Sequence, residues 1–264
     1  MRALDKIMMT TALCAVISGP TLATDEEKTF NYSYIEGAFV HDNFNANGLR
    51  LTDRDGVGDT SDDNFGTFYD ATGNGGAARV SLTLPFAIGN AGFHIVSDYL
   101  QTSHNVAVDV TSVGGLTAAG IVATKQKEWR AAFGVHADIG KNVGLFAELG
   151  LVNNKVDFSV ATLDLGGGGI AEAALGAASG SSTALDGKLG LRAMVTEHLE
   201  LTGFARYHGN GRLTSSADGL SVAFTAKVRA GAGAYYHFSK RLSLGLDYEF
   251  GKPGRARLAA RLSF

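Results

Sequence analysis

Three groups of residues in this 264-residue chain have types and spacing that could carry chemistry. The first is Asp53-Arg-Asp-Gly-Val-Gly-Asp59, followed by Asp62-Asp63-Asn64. Carboxylates interrupted by glycines can wrap Ca²⁺ through oxygen ligands. The spacing departs from the helix–loop–helix calcium pattern. With Gly58 at the required glycine, Val57 falls on a ligand position; with Gly56 there, Leu51 falls on the first ligand. Asp53, Asp55 and Asp59 are therefore a weak Ca²⁺ candidate, and a solvated acidic loop is the simpler expectation. The second group pairs histidines with hydroxyls, at Tyr207-His208-Gly209-Asn210 and His237-Phe238-Ser239. A nucleophile needs a base within hydrogen-bond reach and a third group to orient the base, and neither segment supplies that set. The third group is the largest. Arg79, Arg130, Glu148, Arg192, Arg206, Arg229, Asp247, Glu249, Arg255, Arg257 and Arg261 alternate with apolar neighbours, as do His94, Asp98, His136, Lys188, Glu200, His208 and Lys227.

Period-two alternation means strands. Four short polar turns, at 88–92, 139–144, 196–198 and 239–241, are each flanked by an alternating segment on both sides. The pairs are Ala78–Leu84 with Phe93–Tyr99, Trp129–Val135 with Leu145–Leu151, Lys188–Met194 with Leu199–Ala205, and Phe224–Ala230 with Leu242–Phe250. These predict four hairpins. A first strand around Tyr32–Val40 and a last one at Arg255–Phe264 bring the number to ten, with eight as the alternative. The other connections, over 41–76, 105–127, 157–184 and 210–221, are long and polar, with a short fifth at 251–254. Glycine-rich and alanine-rich stretches at 113–120 and 166–178 suit loops or hairpin extensions, and 171–178 admits a short helix.

The faces are the wrong way round for a soluble protein. One face reads Val80, Leu82, Leu84, Phe86; Trp129, Ala131, Phe133, Val135; Leu199, Leu201, Gly203, Ala205; and Leu242, Leu244, Leu246, Tyr248, Phe250, almost without charge. The opposite face holds the charged set. A soluble barrel would have to bury those charges in its core, at prohibitive cost. A barrel with a hydrated lumen and a lipid-facing exterior carries them cheaply. Phe86, Phe93, Phe238 and Phe264 fall beside the short turns, and Tyr99, Trp129, Tyr207, Phe224 and Phe250 near the long loops. Two aromatic rows bounding an apolar band match an interfacial girdle. Glu36 of the first strand is assigned to the lumen. Asp247 and Glu249 are expected to form cross-strand ion pairs with the arginines of the last strand. About ten strands leave a lumen little wider than its side chains, whereas open porins use about 16–18.

The N-terminus agrees. Arg2 and Lys6 precede an apolar run from Ile7 to Ile17, a Gly19-Pro20 break and Thr21-Leu22-Ala23. This has the form of a secretory signal cut after Ala23, leaving 24–264 as one barrel domain. Cys14, the single cysteine, would leave with it, so disulfides and thiol chemistry are not expected. The net charge of −3 would become −4, which makes a nucleic-acid partner unfavourable.

Over residues 30–264 the chain resembles the small bacterial outer-membrane β-barrel superfamily, the group holding outer membrane protein A-like and opacity-like barrels. The residues carrying the resemblance are Ser33-Tyr34-Ile35-Glu36-Gly37, the alternating hairpins and the terminal Phe264. It implies an all-β antiparallel transmembrane barrel, with periplasmic short turns and extracellular long loops. It also implies that Phe264 is read by the barrel-assembly machinery, and that the lipid partners are outer-membrane lipid and lipopolysaccharide. The surface partner is not given by these residues. The expected role is non-enzymatic: structural, surface-interacting, or a narrow passive pore. Three alternatives stand against it. Tyr207-His208-Gly209-Asn210 resembles, without its serine, the His-x-Ser-Asn motif of outer-membrane lipid A deacylases. A ten-stranded aspartyl protease of the omptin kind would need paired Asp residues and an Asp–His pair at the rim. The last alternative is a secreted soluble β protein.

Overall fold

The computed structural model describes residues 30–44, 49–50, 66–111, 117–164, 170–173, 179–209, 211–214, 221–224, 227–251 and 254–264. The expected signal segment with Cys14, and the Asp53, Asp55 and Asp59 cluster, lie outside them. Ten strands close into one antiparallel barrel: β1 (Tyr34–Phe44), β4 (Ala71–Ile88), β5 (Ala91–Thr111), β6 (Thr117–Ile139), β7 (Val143–Asp164), β9 (Ser179–Met194), β10 (Leu199–His208), β13 (Lys227–His237), β14 (Leu242–Glu249) and β15 (Arg255–Ser263). Each pairs with the next, and β15 returns to β1 with Glu36 opposite Arg261 and Tyr34 opposite Ser263. Closure leaves the ring of the barrel without a free sheet edge, the condition for a sheet to cross a bilayer.

Five short strands lie off the wall: β2 (Leu49–Arg50), β3 (Gly66–Phe68), β8 (Ile170–Ala173), β11 (Gly211–Thr214) and β12 (Ser221–Phe224). β3 extends β5 and β8 extends β7, while β11, β12 and β2 form a separate three-stranded sheet. Residues 170–173 are thus a strand, although the composition of 171–178 admits a short helix, and 174–178 lie outside the described residues. Phe224 belongs to β12 and not to the barrel wall, so it is no part of the girdle. The corresponding wall strand runs over 227–237, because Gly231-Ala-Gly-Ala keeps pairing with β10 and β14 although it reads as a weak strand former.

All four short turns connect hairpins. At the first, Gly89 adopts φ 60°, as a tight two-residue connection requires. Pro85, which cannot donate to a ladder, sits where the β4–β5 register slips between Thr83 and Ala87.

The long connections are the main correction. Strands β5, β6, β7 and β9 run deep into the segments read as loops. β6 alone has 23 residues and β7 has 22. On the opposite wall β10 has 10 residues and β14 has 8. The barrel is tall on one side and low on the other.

The side chains change character along the tall wall. Between the aromatic rows, outward positions are apolar: Leu149 is 61% exposed and Leu189 64%. Among the described residues no outward position between the rows is charged. Beyond Tyr99 and Trp129 the exterior turns polar and valines enter the interior. Ser103, Asn105, Asp109, Lys125 and Ser181 face out, with Ile121 the apolar exception, and on the inward side Val106, Val108, Val122, Val156 and Phe158 are buried together with Thr102, His104, Thr124, Asn154 and Ser182. A strand with lipid-type patterning below has soluble-type patterning above, without a break in register between Ser97 and Asn105 on β5.

Candidate functional site: the lumen network

The inward face of the membrane-level barrel is a continuous set of ion pairs. Each member is placed by strand alternation, so its depth follows from its position along the wall. At the short-turn end, Arg192 of β9 donates two hydrogen bonds to Glu200 of β10, both at 2.8 Å. His237 approaches the same carboxylate at 3.1 Å. Phe30, Tyr32 and Phe146 pack beneath this group. Tyr32 stacks on His136 with ring centroids 3.9 Å apart, and the Nδ1 atoms of His136 and His94 are 3.0 Å apart.

The middle layer has two centres. Glu36 of β1 accepts from Arg257 at 2.7 Å and from Arg261 at 2.9 and 3.0 Å. The Tyr235 hydroxyl donates to it at 3.3 Å. Tyr235 reaches that point by lying flat over Gly245, where a Cβ would come within 2.2 Å of its ring. Arg130 of β6, 2% exposed, is the second centre. It contacts Glu148 at 2.8 Å, Asp98 at 3.1 Å and Asp186 at 2.5 Å, and Asp98 also pairs with Arg79.

The upper layer ties the two walls together. Arg206 bonds Asp186 at 2.7 Å and Glu128 at 2.8 Å. Arg229 bonds Glu249 at 3.1 Å. Arg255 spans Glu128 at 3.5 Å and Asp42 at 3.6 Å.

All eleven charged residues singled out in the sequence point inward. The expected cross-strand neighbours do attract one another, Asp247 with Arg257 and Glu249 with Arg255, but the shortest contacts are made elsewhere. Asp247 lies opposite Arg257 and Glu249 opposite Arg255 in register. The guanidinium contacts instead go to Glu36, Glu128 and Asp42, while Glu249 is held by Arg229 and, at 3.8 Å, by Arg206. In a narrow lumen a long arginine reaches the far wall as easily as its neighbour. Glu128, Asp186 and Asp42 were missed because each sits in or beside a segment read as loop. Alternation continued past Lys188 and past Trp129 would have found Asp186 and Glu128.

The network leaves little free space. A cavity of about 80 Å³ is lined by Arg79, Arg130, Glu148, Lys188, Arg257 and Arg261 among others, and a second of about 40 Å³ lies beside Asp98 and Glu128. At about 10–15 Å³ of such volume per water, each has room for only a few waters.

Among the described residues the histidines do not assemble an acid–base–nucleophile set. His208 lies 3.1 Å from Asn154 and 3.6 Å from Asp186. Ser239, near His237 in sequence, accepts hydrogen bonds from the Arg241 and Leu242 amides in its turn. An Asp–His pair does exist at the upper rim, Asp42 to His104 at 2.7 Å, but both are 2% exposed and Arg255 lies against the carboxylate. Among the described residues no cluster of three metal-ligating side chains is present. Phe264, the expected assembly signal, is outward and half exposed, and its carbonyl accepts from Asn31 at 3.1 Å.

No family model matches the chain, and no curated protein matches it. Solved structures resemble it at the level of the barrel. The outer membrane protein OprG from Pseudomonas aeruginosa is 12% identical, with 89% of this chain and 97% of that one covered and a TM-score of 0.42. The transport unit of the autotransporter AIDA-I from Escherichia coli is 11% identical, with 96% and 97% covered and a TM-score of 0.44. Neisserial surface protein A is 13% identical, with 88% and 96% covered and a TM-score of 0.34. At such values function does not transfer, and it is the chain's own lipid-type exterior, charged lumen and closed sheet that make it a transmembrane barrel.

Proposed function

We propose that this protein is a plugged barrel of the bacterial outer membrane whose work is done at the cell surface. In this reading the membrane-level barrel is an anchor, and the tall wall of β5, β6, β7 and β9 presents a protein surface outside. The observation that carries it is the change of side-chain pattern above Trp129. Residues 117–128 of β6 continue past the aromatic row, about 30 Å at the usual strand rise and barrel tilt. A polar exterior over a valine-rich interior is the patterning of a sheet built for water. The crossed ion pairs below it support anchoring over transport, because Glu36 and Arg130 would both have to give up partners before a solute could pass.

Two measurements test this. Cysteines placed at Ala119 and Ser181 should be labelled by a membrane-impermeant reagent on intact cells, and one at Lys141 should not. Purified barrel in planar bilayers should show no stable conductance. A steady open channel in the unmodified protein would replace the anchor with a narrow pore.

A further inference from the structure

One lysine of the lumen stands outside the ion-pair network. Lys188 of β9 lies between Glu148 of β7 and Arg206 of β10, its partners in register. Glu148 is already held by Arg130 at 2.8 Å, and Arg206 has the same sign as the lysine. Among the described residues the Lys188 ammonium takes part in no hydrogen bond or ion pair. Glu148 and Asp247 attract it at longer range, while Arg79 and Arg130 repel it. The ammonium lies instead over two aromatic rings, 4.0 Å from the centre of Phe204 and 5.6 Å from that of Phe146. Both rings cover glycines. A Cβ on Gly231 would strike Phe204, and one on Gly190 would strike Phe146. Such a seat fixes an ammonium without neutralising it.

Lys188 borders the larger lumen cavity, of about 80 Å³. Eight of the residues lining that cavity are Arg or Lys and three are Asp or Glu. The excess is local. Glu36, Asp98, Asp186 and Glu200 are bound to lumen arginines but do not line the cavity, so its wall is richer in cations than the network as a whole. Some donors of that wall are also unspent. Arg130 Nη2, Arg255 Nε and Arg257 Nε are buried and have no acceptor among the described residues, and Arg130 and Arg255 are 2% and 6% exposed. Buried N–H groups are rarely left so. Water accepts from such donors but leaves the charge excess in place; an anion answers both. The acid that competes for Lys188 is Asp247, across the same cavity. It lies opposite Arg257 in register and accepts from the Tyr235 hydroxyl at 3.2 Å.

We infer that the cavity beside Lys188 binds one small oxyanion of the size of phosphate or sulfate. Arginine forks match the paired oxygens of an oxyanion, and Lys188 adds a point charge. Room for only a few waters excludes a sugar phosphate or a lipid headgroup. The anion would tie β6, β9 and β15 together across the lumen, through Arg130, Lys188 and the arginines at 255 and 257. The site does not depend on which end of the barrel faces outward.

The test refolds the full-length barrel in non-ionic detergent micelles with sodium selenate, a heavy analogue of sulfate. After gel filtration, selenium per barrel is counted by elemental mass spectrometry, and heat-modifiable gel migration shows which samples are folded. Wild-type protein should retain selenate stoichiometrically. Phosphate at equal concentration should compete with it, and chloride should not. Lys188→Met keeps the packing against Phe204 and drops the charge; it should lower retention about tenfold, the loss expected for one charged hydrogen bond. Lys188→Arg should restore most of it, and Lys141→Gln, in a short turn, should change nothing. Undiminished retention in Lys188→Met, an equal loss in Lys141→Gln, or displacement by chloride overturns the inference. Should Lys188→Met not fold, the wild-type count decides: a folded barrel without selenium means the cavity holds water alone, and the inference falls. The anchor reading is untouched by that result, since it is decided by conductance and surface labelling.

Discussion

Glu36 of the first barrel strand and Arg261 of the last face each other across the seam that closes the sheet, and Arg261 donates to Glu36 Oε2 through both Nε and Nη2, at 3.0 and 2.9 Å. The first and last strands are about as far apart in sequence as the chain allows, so closing them costs the most loop entropy. Alternation on β1 and β15 sends both side chains inward, where hydrogen bonding and opposite charge hold the register.

Glu36→Gln should therefore loosen the closed barrel. Removing one partner of a buried ion pair costs about 3–5 kcal/mol. The lumen cavities have room for water beside this pair, so a loss near the low end, about 3 kcal/mol, is expected. Urea unfolding of the refolded protein in vesicles measures it, as a lower midpoint at unchanged slope. A loss below about 1 kcal/mol would mean that backbone pairing alone sets the seam.

Arg130 and Arg229 give an internal comparison. Arg130 contacts three carboxylates, Asp98, Glu148 and Asp186; for Arg229 the ion pair formed is with Glu249. Arg130→Met strands three acids around one apolar group, whereas Arg229→Met strands a carboxylate that Arg206 still approaches at 3.8 Å. Arg130→Met should cost several-fold more stability than Arg229→Met in the same unfolding assay. Equal costs would show that the lumen is wet enough to solvate the acids left behind.

Between Val80 and Phe86, or Leu242 and Phe250, each outward residue is apolar and nearly each inward one polar, and such contrast can be read without coordinates. It yielded the ten strands, the four hairpins and the inward set of charges. The same rule hid the tall wall. Past Trp129 the contrast fades, because outward positions turn polar while the inward ones mix valines with Thr102, His104, Thr124 and Asn154, and at Ser179-Gly-Ser-Ser-Thr it vanishes, because small polar residues mark turns as readily as exposed strand. The ion-pair partners were illegible for another reason. Register names a residue's neighbours on adjacent strands, but Arg255 finds Glu128 across the lumen, 127 positions away in sequence.

Asp157 offers a titration outside the membrane. Partial burial pushes its carboxyl upward, but the hydrogen bonds from Lys127 and Lys155 outweigh this and hold it below its ordinary range. A carboxyl depressed in the folded state stabilises above its unfolded value, and that contribution disappears as the pH falls through the folded value. The pair is largely exposed, so the stability effect is small and salt-screened. The titration itself is the better observable. By NMR the Asp157 midpoint should move up in Lys127→Gln and again in the double variant with Lys155→Gln. No movement would remove Asp157 as the group that holds the lysines.

The change to a polar exterior at the aromatic row makes a depth prediction that separates a membrane barrel from a soluble one. Leu149 and Ser103 are both outward and exposed, on β7 and β5, one below that row and one above it. For a soluble protein a lysine at either place is nearly neutral. In a bilayer, Leu149→Lys puts an ammonium against hydrocarbon and should cost about 2–4 kcal/mol, while Ser103→Lys, at or above the interface, should cost about 0–1 kcal/mol. The measurement is urea unfolding in vesicles, repeated in a detergent micelle, where a flexible interface lets the Leu149→Lys ammonium find water and shrinks the difference. A lysine at 149 as harmless as one at 103 would contradict the lipid-facing assignment of the apolar band. A large cost at both positions would place the membrane higher on the wall than Trp129 does.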